Sequence, residues 1–270
     1  MKKALLYLFY FILVMFVAQW AVYFVWMLAS GSSVDDVLRV FGGGNAAAIT
    51  PAMTVAASAL SSAAVIGLFA WRRFAPMSPV YLRTRQWGVF FWCTVASLGT
   101  IIPSAWLQEL LPELPDLSGD TFKAMMDNRY GYFVLCLLVP FAEEVAFRGA
   151  VLRSLLGSFR NHWAAIAISA VFFAVVHGNP VQMPHAFLVG LLLGWMYYRT
   201  GSILPGVVLH WVNNTVVYVV YTLYPYMADA SLQQIFGGNT NNMVLSVIFS
   251  MFILLPAIYQ LNVNMKKAGN

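Results

Sequence analysis

The sequence predicts an all-α protein, a multi-pass transmembrane helical bundle of about eight spans, and three observations lead to this fold class. Of the 270 residues, 61% are hydrophobic and 9% are charged, with a mean hydropathy of +0.74. A globular protein carries about 25% charged residues. The apolar residues form repeated runs of roughly 20, the length that crosses a bilayer, and turn-forming residues separate these runs.

The predicted spans follow the apolar runs in order along the chain. They lie near residues 4–29, 52–71, 87–111, 130–152, 162–178, 184–199, 202–223 and 242–262. The intervals hold turn formers at Gly42-Gly43-Gly44-Asn45, Pro76, Pro79, Asn179-Pro180 and Gly237-Gly238-Asn239. The first run is far longer than the apolar part of a secretory signal, about 7 to 15 residues, so it is interpreted as an uncleaved span.

The positions of lysine and arginine predict the orientation of these spans. With the amino terminus in the cytoplasm, the following basic residues fall on the cytoplasmic side: Arg72, Arg73, Arg83, Arg85, Arg153, Arg160, Arg199, Lys266 and Lys267. Glu113, Asp116, Asp120 and Asp127 fall outside, together with Lys123 and Arg129. This distribution favours an even number of spans with both termini cytoplasmic. A short chain with no soluble domain favours a prokaryotic plasma membrane, and the endoplasmic reticulum stays open as the alternative.

The formal net charge of +5 does not predict a nucleic-acid partner, because the basic residues form short clusters between apolar runs. Orientation signals and lipid head groups explain such clusters. Cys93 and Cys136 lie in apolar stretches without metal-ligand spacing, and we interpret them as small buried hydrophobic residues.

The stretch FAEEVAFRGA places three ionisable residues inside the fourth predicted span, where charge is costly. Glu144 and Arg148 are four residues apart, share a helix face and can neutralise each other. Glu143 points about 100° away and is left without that partner. A desolvated glutamate is suited to act as a general base near neutral pH. The alternative is a buried ion-pair cluster that only fixes helix packing.

Two histidines on predicted spans narrow the chemistry. His177 closes the fifth span, and His210 lies on the seventh span with Asn214 four residues later on the same face. Interhelical hydrogen bonding is the alternative role for either histidine. His162 and His185 sit at predicted helix ends, and we expect them to be interfacial rather than catalytic.

Together these residues would supply a base, a helper and donors for an oxyanion, which are the parts needed for hydrolysis by an activated water. No GxSxG serine is present and neither cysteine has a histidine nearby in the sequence, so a covalent nucleophile is not evident. No aspartate lies inside a span, so the paired-aspartate motifs of intramembrane aspartyl proteases are missing. Two alternatives stay open. Two glutamates and two histidines could bind zinc, although HExxH is missing, and a scaffold, immunity protein or transporter could use the same residues structurally or as a proton relay.

Three short motifs resemble those of the CAAX prenyl protease and bacteriocin-processing family of intramembrane endopeptidases. They are EExxxR at Glu143 to Arg148, FxxxH at Phe173 to His177, and HxxxN at His210 to Asn214. The resemblance covers roughly residues 130 to 222. It divides the chain into unmatched helices at 1–125, a protease core at 126–225, and a loop with a final helix at 226–270.

The resemblance implies a glutamate-dependent endopeptidase that acts on membrane-associated peptides or proteins, with C-terminally prenylated ones among the candidates, and without a covalent intermediate. We assign no cofactor and no metal site. Glu143 would deprotonate the water and His177 would orient it. His210 and Asn214 would stabilise the oxyanion, while Glu144 and Arg148 would form the supporting ion pair. Membrane lipid and the substrate are the implied partners. His177 lies at the far end of its span, so the fifth helix has to be short or sunk into the bundle.

Overall fold

The computed structural model describes residues 1–43, 48–76, 81, 86–228 and 230–267 and contains helices without strands in those ranges. The all-α prediction is confirmed. The helices are α1 Lys2–Ala29, α2 Val34–Phe41, α3 Pro51–Trp71, α4 Trp87–Glu109, α5 Gly119–Met126, α6 at residues 133–156, α7 His162–Val176, α8 Met183–Thr200, α9 Leu204–Leu223, α10 Pro225–Ala228, α11 Leu232–Ile235 and α12 Thr240–Asn264. The expectations for Gly44, Asn45, Pro79, Arg83 and Arg85 lie outside the described residues.

Four of these helices, α1, α3, α4 and α12, are long and apolar enough to cross a membrane. They correspond to the first three predicted spans and to the last one. The other four predicted spans are helical, as α6 to α9, but they are shorter, interrupted or richer in polar residues. The count of eight spans therefore stays a prediction.

Polar side chains mark where several helices begin. Ser33, Thr50, Asn161 and Asn239 each accept a hydrogen bond from a backbone N–H in the first turn of the helix that follows. Such caps satisfy donors that have no intrahelical partner. At the other end of α8, Gly201 adopts φ +67°, a left-handed conformation that glycine tolerates.

Helix α6 departs from regular α-geometry at the point where the charged residues lie. Its segments Phe133–Leu138 and Glu144–Leu152 are π-helical, and Val139–Glu143 and Arg153–Leu156 are α-helical. Pro140 has no N–H to donate to the preceding turn, which is a common cause of such irregularity. All nine residues of the second π segment are buried, so the irregular part of the helix is its most enclosed part.

The core surrounds α6, and its closest contacts use small residues. A Cβ on Gly149 would lie 2.7 Å from the Ala75 Cβ, and a Cβ on Gly194 would lie 2.9 Å from Ile166. Gly190 and Gly194 therefore let α8 approach α7, which is the packing role that small residues take between membrane helices. On the outside, only 6% of the most apolar 18-residue window of α1 and 17% of that of α12 are buried.

Candidate active site

A cavity of about 230 Å³ lies between α6, α7, α8 and α9, with Phe122 of α5 at its edge. Its polar lining consists of Glu143, Gln182, the three histidines His177, His185 and His210, and the amides Asn213 and Asn214. The structure thus brings together four side chains singled out from the sequence, which come from three helices. Glu144 and Arg148 lie buried beside the cavity.

The ion pair expected within α6 is present. Arg148 Nη1 donates to Glu144 Oε1 at 2.8 Å, and both side chains are almost fully buried. Arg148 also donates through Nη2 to the Gly190 carbonyl at 3.3 Å, and its guanidinium lies 4.2 Å from the centre of the Phe173 ring. These contacts tie α6 to α7 and α8, because a buried guanidinium needs acceptors and a polarisable neighbour.

Glu144 is held against α9 at a position where only glycine fits. A Cβ on Gly206 would lie 2.7 Å from Glu144 Oε2. That oxygen is buried and, within the described part of the chain, makes no hydrogen bond. The close approach of the α9 backbone therefore covers the Oε2 side of the Glu144 carboxylate. The polar contacts of this carboxylate are made by Oε1.

His210 lies between the two glutamates. Its Nδ1 is 3.4 Å from Glu144 Oε1, and its Nε2 is 3.7 Å from Glu143 Oε2. The second distance exceeds a hydrogen bond. Glu143 is 15% exposed, whereas Glu144 is fully buried. Two adjacent glutamates thus have different surroundings, one closed by its partners and the other open to the cavity.

His177 is oriented by its own helix. Its Nδ1 lies 2.7 Å from the Phe173 carbonyl, which can only accept, so Nδ1 carries the proton and donates. The basic nitrogen of the neutral ring is then Nε2. The Phe173 ring meets His177 edge to face at 4.8 Å and His210 at 5.8 Å, so the phenyl ring of the FxxxH motif packs between the two imidazoles.

The expected conflict of depth between His177 and Glu143 is resolved by a short helix. Helix α7 has 15 residues, which corresponds to about 22 Å. The hydrocarbon core of a bilayer is about 30 Å thick. A membrane-crossing helix of this length is expected to end within the bundle, and His177 lines the same cavity as Glu143.

Asn214 lies in the cavity lining next to an amide that the sequence reasoning missed. Asn214 Nδ2 donates to the Leu135 carbonyl at 3.0 Å, and Asn213 Nδ2 donates to Asn214 Oδ1 at 3.2 Å. Asn213 is 5% exposed, and its Oδ1 has no hydrogen-bond partner within the described residues. The doubled asparagine in HWVNNT was the available signal.

The expectation that His185 is interfacial is wrong. His185 lies in the first turn of α8 and lines the cavity, and its Nδ1 forms a hydrogen bond with Ser104 Oγ of α4. The turn that follows α7 folds into the bundle, so the start of α8 is inside rather than at the surface. His162 stacks on Tyr198 at 4.1 Å at the start of α7, away from the cavity lining.

A loop beside the cavity is fixed to the turn after His177. Asn179 Nδ2 donates to Asp116 Oδ1 at 2.7 Å and to Ser118 Oγ at 2.9 Å, and its Oδ1 accepts from Leu117 N at 3.0 Å. The amide of Asn179 lowers the pKa of the Asp116 carboxyl below its ordinary value. We call this set of contacts the Asn179 latch.

Two further observations bear on alternative sites. A larger groove of about 780 Å³ lies between α4, α8 and α12, but its lining contains no histidine or carboxylate, so the smaller cavity is the candidate site. Among the described residues, no three His, Cys, Asp or Glu side chains are grouped so that they could hold one metal ion. Cys93 and Cys136 are free and buried, as expected.

An all-helical bundle with apolar outer helices and an internal polar cavity defines a polytopic membrane protein with an enclosed site. Residues 127–216, one third of the chain, match the family model described as Type II CAAX prenyl endopeptidase Rce1-like. The predicted resemblance is thereby confirmed, and the match includes every polar residue of the cavity lining. No curated protein and no solved structure gives a significant match. This is a family of proteases, which supports a hydrolase integral to the membrane.

Proposed function

We propose that the protein is an intramembrane endopeptidase in which Glu143 activates the attacking water. The observation that carries this proposal is the contrast between the two glutamates. Glu144 is fully buried and paired with Arg148, whereas Glu143 faces the cavity with its carboxylate beyond hydrogen-bonding distance of His210. A carboxylate with free lone pairs in a partly desolvated cavity is suited to accept a proton from water.

In the proposed reaction, water gives a proton to Glu143 while its oxygen attacks the carbonyl carbon of the scissile peptide bond. His177 accepts a hydrogen bond at Nε2 and orients the water. The tetrahedral intermediate then collapses, the C–N bond breaks, and Glu143 returns the proton to the leaving amine. No covalent bond to the protein forms in this sequence.

The oxyanion would be stabilised from α9. His210 would act as the imidazolium, with Nδ1 donating to Glu144 and Nε2 presenting an N–H to the oxyanion. Asn214 would use the Nδ2 hydrogen that is not bonded to the Leu135 carbonyl. Donors fixed before the reaction are worth more than donors that have to reorient. The Glu144–Arg148 pair holds the Nδ1 side of His210 and thereby supports its orientation.

The substrate class follows from the family and from the bilayer. A peptide bond reaches a cavity between helices only when its backbone is unwound, which favours a peptide end or a destabilised span of a membrane protein. Among such peptide ends, the description of the matching family refers to a prenylated carboxyl terminus. The basic clusters favour an orientation with both termini in the cytoplasm, and the prokaryotic plasma membrane remains the predicted location.

The test is a fluorogenic cleavage assay on lipidated and unlipidated peptides with the purified protein, comparing wild type with Glu143→Gln. Glutamine keeps the size but cannot accept the proton, so we expect a loss of about 10²- to 10⁴-fold. Glu113→Gln, an exposed carboxylate outside the cavity, is the matched control and should retain activity. Equal activity in wild type and Glu143→Gln would overturn the proposed role.

A chelator added to the same assay addresses the zinc alternative. Activity that persists with the chelator supports the glutamate mechanism. Activity that disappears and returns with zinc would support a metalloprotease instead. A wild-type protein that cleaves no peptide of a broad library would favour the scaffold or transporter alternative, which complementation in cells with wild type and Glu143→Gln then decides.

A further inference from the structure

The two ends of the bundle differ in the chain segments that form them. One end contains the start of α1, the ends of α3, α6, α8 and α12, and the starts of α4, α7 and α9. Contacts between these segments place them together, as in the hydrogen bond from Arg199 Nη2 to the Asn262 carbonyl at 2.7 Å and the approach of Gly149 to Ala75. We call it the basic end. The opposite end contains α2, α5 and the loop of residues 110–118, and we call it the acidic end.

The charges of the described residues separate almost completely between these ends. The basic end carries Lys2, Lys3, Arg72, Arg73, Arg153, Arg160, Arg199, Lys266 and Lys267, and no acid among the described residues. The acidic end carries Asp35, Asp36, Glu109, Glu113, Asp116, Asp120 and Asp127, with Arg39, Lys123 and Arg129. Among the described residues, the basic end therefore carries nine basic residues and the acidic end carries three. Short connections rich in Lys and Arg stay in the cytoplasm, so the basic end is the cytoplasmic one.

The cavity reaches from the middle of the bundle toward the acidic end. Two of its polar groups, Glu143 and His210, lie near the middle of α6 and in the first half of α9. The remaining lining extends from them toward the acidic end: His177 directly follows α7, Gln182 precedes α8, and Phe122 belongs to α5. Residues of the basic-end connections do not line it in the described part of the chain. The described lining therefore extends toward the acidic end and not toward the basic end.

We propose that the cavity opens on the extracytoplasmic face of the membrane and receives a peptide segment presented from that side. That this segment is a substrate rests on the proposed function. The direction of the opening rests only on the helix ends and the charges. A peptide whose anchor holds it at the cytoplasmic leaflet would meet the closed, basic end. The substrate class is thus narrowed to membrane-associated chains with an exposed extracytoplasmic segment.

Cysteine labelling of the full chain in intact cells tests the sidedness without any peptide hydrolysis. Asp120→Cys places a thiol on the exposed surface of the acidic end, and Ser158→Cys is the matched variant at the basic end. Cys93 and Cys136 are buried, so the parent protein sets the background. With a membrane-impermeant maleimide, Asp120→Cys should be labelled in intact cells, and Ser158→Cys only after permeabilisation. The reverse pattern, or labelling of both variants in intact cells, would overturn the proposal.

A third variant tests from which side the cavity lining is reached. Gln182→Cys puts a thiol in the cavity lining, in the half-buried turn before α8. Labelling in intact cells is the expected result, and labelling that requires permeabilisation would overturn the proposal. Because neither readout uses cleavage, loss of the proposed function in the Glu143→Gln assay and loss of this inference are separate outcomes.

Discussion

Helices α6 and α12 of the same bundle differ in charge, in helical geometry and in exposure. The segment Glu144–Leu152 of α6 contains two charged residues, departs from α-geometry and is fully buried. Helix α12 carries no charged residue in its 25 residues, and most of its surface is exposed. Lipid is as apolar as leucine, so an exposed apolar helix costs nothing there. Polar groups within the bundle have only protein partners, so those partners have to be built around them.

The largest effect on stability is expected from breaking the buried ion pair of α6. Arg148→Met leaves the Glu144 carboxylate buried without its charge partner, which should lower the free energy of unfolding by about 3 to 5 kcal/mol. Arg160→Met removes an exposed arginine and should change it little. Denaturant unfolding in detergent measures both. The double variant Glu144→Gln with Arg148→Met should be more stable than Arg148→Met alone, and a purely additive loss would contradict the pairing.

A smaller effect is expected where α12 meets α4. A Cβ at Gly99 would lie 2.8 Å from the Leu254 backbone nitrogen, so Gly99→Ala forces the two helices apart. We expect a loss of roughly 1 to 3 kcal/mol, as in other overpacked contacts. Gly67→Ala is the matched control, because nothing lies within 4 Å of its added Cβ. Thermal unfolding measures both variants. A lower unfolding temperature for Gly67→Ala than for Gly99→Ala would show that this contact is not needed.

The exposed face of α12 should tolerate change almost completely. Phe252 is 70% exposed, and Phe252→Ala should alter the free energy of unfolding by less than about 0.5 kcal/mol. Phe147 is fully buried in the core around α6, and Phe147→Ala should cost about 3 to 5 kcal/mol. Similar losses for both substitutions would mean that the outer face is covered in the membrane by another protein surface.

The smallest effect concerns the Asn179 latch. Since the hydrogen bond lowers the pKa of Asp116, the latch contributes stability above the pKa of about 3.9 for an unfolded aspartate, and loses it as the pH falls through the lower folded value. Asp116→Asn should therefore speed hydrogen exchange of residues 110–118 at neutral pH several-fold. Asp120→Asn, outside the latch, is the control. Unchanged exchange in Asp116→Asn would show that the carboxylate does not hold the loop.

The sequence was informative where composition and local spacing determine structure. Apolar runs predicted the four long helices, and spacing of four residues predicted the Glu144–Arg148 contact, which survives the change to π-geometry. The π-helical segments themselves could not be predicted, because a hydrophobic pattern does not distinguish their hydrogen-bond register from that of an α-helix.

The missed residues depend on contacts between distant parts of the chain. His185 was misplaced because its environment is decided by how the turn after α7 folds into the bundle and by Ser104 on α4. Asp116 joins the turn after His177 through Asn179, 63 residues away. Neither pairing leaves a periodic or local signal, so only the tertiary structure reveals these neighbours.

The short helix α7 also acts on the membrane around it. Val171 and Val175 are exposed on its outer face near the His177 end, yet the helix spans about 22 Å of a hydrocarbon layer about 30 Å thick. A bilayer adapts to such hydrophobic mismatch by thinning locally. Where α7 crosses such a layer, we expect a neighbouring span to lose part of its hydrocarbon cover, so that its backbone reaches water at a shallower depth. We therefore expect the length of this one helix to lower the cost of unwinding a neighbouring span at the place where the cavity lies.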